Sequence, residues 1–217
     1  MHRLPEETQK ILIHMQERHR SQRVASFVEL NQRAEKNGIL FIGDSITEAF
    51  PIHEILRSEQ QKYNRGVGGD KTIDILNMLE VVVYSLIPAK IFLLIGTNDL
   101  GLGSKPQEII EQIKEICSNI ERNLSDTKLY VQSIYPVNQM LDDKLSSQTV
   151  GLRNNRDIQT INAAIREFVS NNHATYIDLY PKLVDNEGLL QADYTYDGLH
   201  LNIKGYEIVR DEIQKYL

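Results

Sequence analysis

Short, continuous apolar runs recur along the chain, and longer segments with helical spacing lie between them. Runs of this kind are typical of strands that are covered on both faces. We therefore predict strands at residues 39–42, 91–95, 129–131 and 175–179, with a weaker candidate at 62–64. Helices are predicted at residues 73–85, 106–123, 157–171 and 203–216. Strands that alternate with helices indicate an α/β fold with a three-layer, doubly wound parallel sheet.

The first part of the chain has a different character. Residues 6–36 are rich in Glu, Gln, Lys and Arg, and the segment stops at Asn37-Gly38, a common helix terminator. One or two helices are predicted here, and their apolar positions make only a narrow stripe. We therefore expect a helical arm over residues 1–37, facing water or a partner, and a core over residues 38–217, together one domain of residues 1–217.

Composition and charge exclude several classes of protein. The chain has 24 Lys and Arg against 30 Asp and Glu, so it lacks the positive field that nucleic acid binding needs. Its single cysteine, Cys117, cannot form an intrachain disulfide and is interpreted as a core residue in a reducing compartment. Residues 1–20 have no signal-like apolar run, and the most apolar stretch, 81–95, is too short for a membrane helix. We expect a soluble, cytoplasmic protein without a membrane span.

Residues with useful chemistry gather where the predicted strands end. The first strand runs into Gly43-Asp44-Ser45, where a serine would lie at the positive end of a helix, a suitable position for a nucleophile. Ser45 and Glu48 are also spaced as a capping box, in which the serine only satisfies the Glu48 amide. Taken alone, the capping interpretation is the more common one, because every helix needs a cap.

Two more turns carry glycine-rich or polar motifs. The segment from Asn64 to Asp70 reads Asn-Arg-Gly-Val-Gly-Gly-Asp, but the third glycine of a dinucleotide-binding fingerprint would fall at Lys71, so that fingerprint fails. The segment is either a tight turn with Asp70 as a helix N-cap, or a place where a backbone N–H points at an anion. Gly96-Thr97-Asn98-Asp99 is likewise either a turn former or the source of an amide donor for a developing oxyanion.

The last motif, Asp197-Gly198-Leu199-His200, comes just before the C-terminal helix. A carboxylate three residues before a histidine can bond one ring nitrogen and leave the other free as a base. The other five histidines have no such carboxylate and are interpreted as surface residues.

Because neighbouring parallel strands end at one edge of a sheet, one ligand could touch Ser45, Gly69 and Asn98 together. A nucleophile, oxyanion donors, a base and its orienter are what acyl transfer requires.

In this order the four blocks resemble those of the SGNH hydrolases, also called GDSL-type lipases and esterases. The likeness runs from Ile39 to the end of the chain, with Ile46 where leucine is commoner. The Gly-Val-Gly-Gly-Asp and Gly-Thr-Asn-Asp versions look closest to the intracellular platelet-activating-factor acetylhydrolase catalytic subunits and their bacterial relatives. The resemblance implies a flavodoxin-like fold and a serine esterase that cleaves a small-molecule ester with a short acyl group such as acetyl.

The resemblance also implies a role for each block. Ser45 would be the nucleophile, His200 the base and Asp197 its orienter. The backbone N–H groups of Ser45 and Gly69 and the Asn98 amide would form the oxyanion hole. No cofactor and no metal are implied, and a homodimer stays open as the oligomeric state.

Alternatives remain for the function and for one connection. A non-catalytic small-molecule binding module on the same fold is one alternative, and a metal-dependent deacetylase is another. A flavin or nucleotide binder is disfavoured by the failed fingerprint. Residues 137–155 form a long connection with several apolar side chains, and they either supply walls or a lid near the site or form a surface loop.

Overall fold

Five parallel strands form the centre of the computed structural model, which describes residues 5–140 and 149–217. The strands are β1 Ile39–Gly43, β2 Lys62–Gly66, β3 Lys90–Leu94, β4 Lys128–Gln132 and β5 Thr175–Ile177. Their order across the sheet is β2-β1-β3-β4-β5. This is the doubly wound, flavodoxin-like arrangement, so the predicted fold class is confirmed. Strand β5 ends before residue 179 because the backbone N–H groups of Leu179 and Tyr180 donate to the Ser133 hydroxyl instead of continuing the ladder.

Side chains of each strand alternate between two hydrophobic layers, one on each face of the sheet. Ile42 belongs to one layer and Phe41 to the other. In the second layer the rings of Phe41, Phe92 and Tyr130 stack across three strands, with centroid distances of 4.9 and 4.7 Å. Burial on both faces explains why the central strands β1, β3 and β4 are largely apolar runs in the sequence, whereas the edge strand β2 is polar and half-buried over its first three residues.

Helices cover both faces of the sheet. In chain order the described residues contain α1 Glu6–Asn31, α2 Ser45–Glu48, α3 Ile52–Ile55, α4 Thr72–Met78, α5 Thr97–Gly101, α6 Pro106–Asn123, α7 Asn155–Ser170, α8 Tyr180–Leu183 and α9 Ile203–Ile213. The predicted helix over 73–85 is α4 followed by one π-helical turn and one 3-10 turn. Cys117 lies on the buried face of α6, as predicted. Within the described part of the chain, no helix is long and apolar enough to cross a membrane.

The N-terminal segment is one long helix, α1, whose two halves differ. In the second half, Phe27 is 4% exposed and packs with the core, and Asn31 is buried. Asn31 Nδ2 donates to the Val82 carbonyl at 3.0 Å, and Asn31 Oδ1 accepts from Arg65 Nη2 at 2.9 Å. The first half carries the exposed apolar residues Ile11, Leu12, Ile13 and Met15.

The carboxyl ends of β2, β1 and β3 lie side by side at one edge of the sheet. Gly43 pairs with Gly66 on one side and with Leu94 on the other. The turns that follow these three strands therefore meet at this edge, where ligands bind in open α/β sheets.

Candidate active site

Ser45 is the first residue of the short helix α2, directly after β1. Asp44 caps this helix, because its Oδ1 accepts from Ile46 N at 2.9 Å and its carbonyl accepts from Glu48 N at 2.8 Å. The capping-box interpretation, in which the Ser45 side chain satisfies the Glu48 amide, is therefore wrong. With the cap supplied by its neighbour, the Ser45 hydroxyl is free for another partner.

That partner is His200, from the far end of the chain. Ser45 Oγ lies 2.9 Å from His200 Nε2, and His200 Nδ1 lies 2.7 Å from Asp197 Oδ2. Because Nδ1 faces a carboxylate, we assign the ring proton to Nδ1, which leaves Nε2 to accept from the Ser45 hydroxyl. The structure thus brings together the serine, histidine and aspartate that the sequence motifs put forward.

Asp197 is held by the turn to which it belongs. Its Oδ1 accepts from the backbone N–H groups of Leu199 at 3.0 Å and His200 at 2.8 Å. Burial alone would raise the pKa of this carboxyl, but the hydrogen bonds from the His200 ring and from the two N–H groups hold the pKa below its ordinary value. The carboxylate therefore stays ionised and fixes the orientation of the imidazole.

Thr195 ties this turn together, although no sequence motif singles it out. Its Oγ1 accepts from Gly198 N at 3.0 Å and donates to the His200 carbonyl at 2.6 Å. The ring of Tyr196 stacks on the His200 ring with a centroid distance of 6.2 Å. A threonine two residues before Asp197 is a common start for a turn of this kind, and that signal could have identified Thr195 in the sequence.

The turn after β2 lies beside Ser45, since a Cβ atom on Gly68 would come within 3.8 Å of Ser45 Cβ. Residues 67–70 form a tight turn closed by a backbone hydrogen bond of 3.1 Å, and Gly69 within it has a φ of 82°. The Gly68 N–H donates to the Glu48 carboxylate. By contrast, the N–H groups of Gly69 and Ser45 have no acceptor within residues 5–140 and 149–217. These two N–H groups can therefore donate to a ligand.

Asn98 lies on α5, the short helix that follows β3. Its Nδ2 donates to the Asp70 carbonyl at 2.9 Å, and its Oδ1 accepts from Arg153 Nη2 at 2.8 Å. One amide hydrogen of Asn98 therefore remains for a ligand in the cleft. Asp99 instead ties α5 to the start of α4, because its carboxylate accepts from the Thr72 N–H at 3.1 Å and from the Thr72 hydroxyl at 2.6 Å.

Asp70 does not cap α4, contrary to the expectation from the sequence. Its Oδ1 accepts from Arg20 Nε at 2.9 Å, and its side chain is 1% exposed. At the start of α4, the Lys71 N–H donates instead to the Asp74 carboxylate at 3.0 Å. Burial raises the pKa of Asp70 to about 7, and the Arg20 guanidinium opposes the rise. The Asp70 carboxylate therefore pairs with Arg20 of α1 and not with the backbone N–H groups at the start of α4.

Helix α1 reaches the site with further side chains. Arg23 Nη2 donates to the Gly66 carbonyl at 2.8 Å, and Arg23 Nε lies 3.4 Å from the Glu48 carboxylate. The Gln16 amide lies directly over Gly69, where a Cβ atom would come within 1.8 Å of Gln16 Nε2. No sequence motif marks these residues, because tertiary contacts alone decide where a polar helix docks.

The predicted residues meet in one cleft of about 420 Å³. Asp197 lies behind His200, and the cleft is lined by Ser45, Gly69, Asn98 and His200 together with Gln16, Gly68, Gly101, Leu102, Thr149, Arg153 and Leu199. Of the predicted 137–155 connection, Thr149 and Arg153 contribute to the cleft, while residues 141–148 lie outside the described residues. A second cleft, of about 450 Å³ between α1 and β2, contains none of the predicted site residues.

The chain is similar to known structures over most of its length. The GDSL-like Lipase/Acylhydrolase family model matches residues 41–208. A Streptococcus pneumoniae structure, described as a suspected platelet activating factor, is 32% identical with a TM-score of 0.91 and covers 98% of this chain and 99% of that one. A GDSL-like lipase from Bacteroides thetaiotaomicron is 21% identical with a TM-score of 0.75, covering 89% and 96% of the two chains, and this likeness concerns the fold alone.

Two relatives by sequence are similar at a greater distance. Platelet-activating factor acetylhydrolase IB subunit alpha1 from Bos taurus is 27% identical over 172 residues, which cover 77% of this chain and 69% of that protein. N-acylneuraminate cytidylyltransferase from Escherichia coli O18:K1:H7 is 28% identical over 185 residues, which cover 84% of this chain and 41% of that protein. The chain thus spans less than half the length of the Escherichia coli protein.

Proposed function

Because the chain belongs to the GDSL-like lipase/acylhydrolase family and is an ester-cleaving hydrolase, we propose that it acts through an acyl-enzyme on Ser45. The observation that carries this proposal is the unbroken path of hydrogen bonds from Ser45 through His200 to Asp197, with distances of 2.9 and 2.7 Å. The path opens into the cleft that Gly69 and Asn98 also line. Together these groups supply a nucleophile, a base, an orienter and donors for an oxyanion.

In the first step the Ser45 oxygen attacks the ester carbonyl carbon while its proton passes to His200 Nε2. The carbonyl oxygen becomes an oxyanion that accepts hydrogen bonds from the Ser45 N–H, the Gly69 N–H and the second Asn98 amide hydrogen. The carbon–oxygen bond to the alcohol then breaks, and His200 gives its proton to the departing alcohol. The product of this step is an acyl ester on Ser45.

In the second step water replaces the alcohol. The water oxygen attacks the acyl carbon while His200 accepts a proton from the water, and the new oxyanion accepts hydrogen bonds from the same three donors. Collapse of this intermediate breaks the bond to Ser45, which regains its proton from His200, and the free acid leaves. The Asp197 carboxylate stabilises the imidazolium in both steps, because it accepts from His200 Nδ1.

We expect the acyl group to be short, and acetyl fits best. The support comes from the Bos taurus relative, which is named an acetylhydrolase and is 27% identical over 77% of this chain. A cleft of about 420 Å³ is also of the size that holds small molecules.

Hydrolysis of 4-nitrophenyl acetate, butyrate and octanoate tests both the reaction and the acyl length. We expect kcat/KM to be highest for the acetate, and we expect Ser45→Ala to lower kcat by about a thousand-fold or more. Ser125→Ala is the matched control, since Ser125 is exposed and precedes β4. A folded Ser45→Ala protein with wild-type activity would overturn the nucleophile assignment, whereas a preference for octanoate would overturn only the short acyl group.

A phosphonate ester separates this mechanism from its alternatives. The phosphonate should add one phosphonyl group to Ser45 with loss of its leaving group, and intact-mass measurement should show the added mass in the wild type but not in Ser45→Ala. A non-catalytic binding module predicts no added mass. A metal-dependent deacetylase predicts loss of esterase activity in excess chelator, and we expect the activity to persist.

We also propose that the exposed apolar stretch of α1 pairs with a second copy of this chain. Ile11, Leu12, Ile13 and Met15 are between 49% and 61% exposed, and a cluster of large apolar side chains open to water is typical of a surface that binds another protein. An antiparallel pairing centred on Leu12 would set Glu6 of one copy against Arg18 of the other. Light scattering should show a dimer that Leu12→Glu converts to a monomer, and a monomeric wild type would refute the pairing.

A further inference from the structure

Arg153 is a charged residue inside the cleft that none of the four sequence blocks contains. It lies two residues before α7 and is 8% exposed, although its guanidinium lines the cleft beside Asn98. Burying a cation costs free energy unless its N–H groups are hydrogen-bonded, so the acceptors of these bonds indicate the role of Arg153.

The three nitrogens of the guanidinium donate four hydrogen bonds. Nε donates to the Thr97 hydroxyl at 3.0 Å, and Nη1 donates to the carbonyls of Val150 at 2.9 Å and Thr149 at 3.1 Å. Nη2 donates to Asn98 Oδ1 at 2.8 Å. Three of these bonds anchor the planar group, and the fourth is made to a side chain of the oxyanion site.

The bond to Asn98 decides which end of that amide faces which neighbour. With Oδ1 toward Arg153, Nδ2 donates to the Asp70 carbonyl at 2.9 Å and turns its second hydrogen to the cleft. A half-turn of the amide would set the NH2 group against Nη2, donor to donor, and Oδ1 against the Asp70 carbonyl, acceptor to acceptor. It would also offer an oxygen, rather than an N–H, to a developing oxyanion.

We propose that Arg153 is a positioning residue for the oxyanion hole, acting through Asn98. The inference rests on the proposed function, because it assigns Arg153 to the same reaction. Without the guanidinium, only the Asp70 carbonyl orients the amide, so its second hydrogen is no longer held in line with the oxyanion, and part of the stabilisation that Asn98 supplies is lost in every molecule. Substrate binding in the ground state depends less on this donor, so kcat falls and KM changes little.

A double-mutant cycle on 4-nitrophenyl acetate tests this coupling. Asn98→Ala should lower kcat by about 100- to 1000-fold, and Arg153→Met by about 10- to 100-fold with KM nearly constant. In the Asn98→Ala background, Arg153→Met should cost less than about two-fold more, because the amide that it positions is gone. Arg153→Lys, which keeps one charged donor, should recover part of the activity that Arg153→Met loses.

The outcomes separate this inference from the function on which it rests. Multiplied losses in the double variant, or a raised KM at constant kcat, would mean that Arg153 only supports the fold or binds substrate, and would overturn the proposal. Activity in a folded Ser45→Ala protein would instead overturn the proposed function. If thermal melting shows that Arg153→Met is unfolded, the same cycle is run with Arg153→Gln, and the same two results decide.

Discussion

Replacing Asp197 by asparagine tests how this side chain acts on His200. Asp197 Oδ1 accepts two backbone N–H groups at 2.8 and 3.0 Å, while its Oδ2 faces His200 Nδ1 at 2.7 Å. In Asp197→Asn the amide oxygen would keep the two backbone bonds, so the NH2 group would face Nδ1. A donor in that place forces the ring proton onto Nε2, which then no longer accepts the proton of Ser45.

The size of the effect follows from these hydrogen bonds. Turning the new amide over would restore the productive tautomer of His200 but would break both backbone bonds, each worth about 0.5–1.5 kcal/mol. The productive state is therefore disfavoured by about 1–3 kcal/mol, which is roughly a 5- to 150-fold loss. Loss of the charge that stabilises the imidazolium adds to this, so we expect kcat to fall by about 1000- to 10,000-fold.

The assay is kcat for 4-nitrophenyl acetate, together with thermal melting to show that the variant is folded. Asp193→Asn is the matched control, because the Asp193 side chain is 73% exposed and lies four residues earlier in the same region. We expect wild-type activity from the control. If folded Asp197→Asn kept more than about a tenth of the wild-type kcat, the argument from the tautomer of His200 would be refuted.

Two further predictions concern the turn after β2. Gly69→Ala should lower the free energy of unfolding by about 1–2 kcal/mol in urea titrations, because a φ of 82° is strained for alanine. Adding Gln16→Ala removes the collision with the new Cβ but not the strain, so full recovery in the double variant would contradict this reasoning. The pKa of Asp70 is raised from 3.8 to about 7 in the folded protein, so the folded state binds the proton more tightly than the unfolded state. The free energy of unfolding therefore falls as the pH rises from about 4 to about 7, by at most about 4 kcal/mol from this group. Melting temperatures at about pH 5 and pH 8 should therefore differ less in Asp70→Asn than in the wild type, and an equal difference would count against the assignment.

The strands and the edge that carries the site could be predicted because their signals are local. A strand buried on both faces is apolar along most of its length, as β1, β3 and β4 are, whereas the polar edge strand β2 gives the weakest signal of the five predicted strands, all of which are present. Parallel pairing then places the turns after β1, β2 and β3 at one edge, which is why the sequence alone could group Ser45, Gly69 and Asn98.

Polar contacts between distant segments could not be predicted in this way. Arg20 is 50 positions from Asp70, and Arg153 is 55 positions from Asn98, and neither pairing leaves any periodicity in the sequence. The capping box failed for a different reason. Both Asp44 and Ser45 are good cap residues, and only the backbone path out of β1 decides which of the two begins the helix.

The position of the chain's single cysteine makes one kind of experiment simple. Cys117 is 0% exposed, and burial raises the pKa of its thiol to about 12. Such a thiol stays protonated and out of reach of maleimides or iodoacetamide near neutral pH. A cysteine introduced on the outer surface of α1 would therefore be the sole labelling position, and a fluorophore there could follow this helix in real time as an ester enters the cleft.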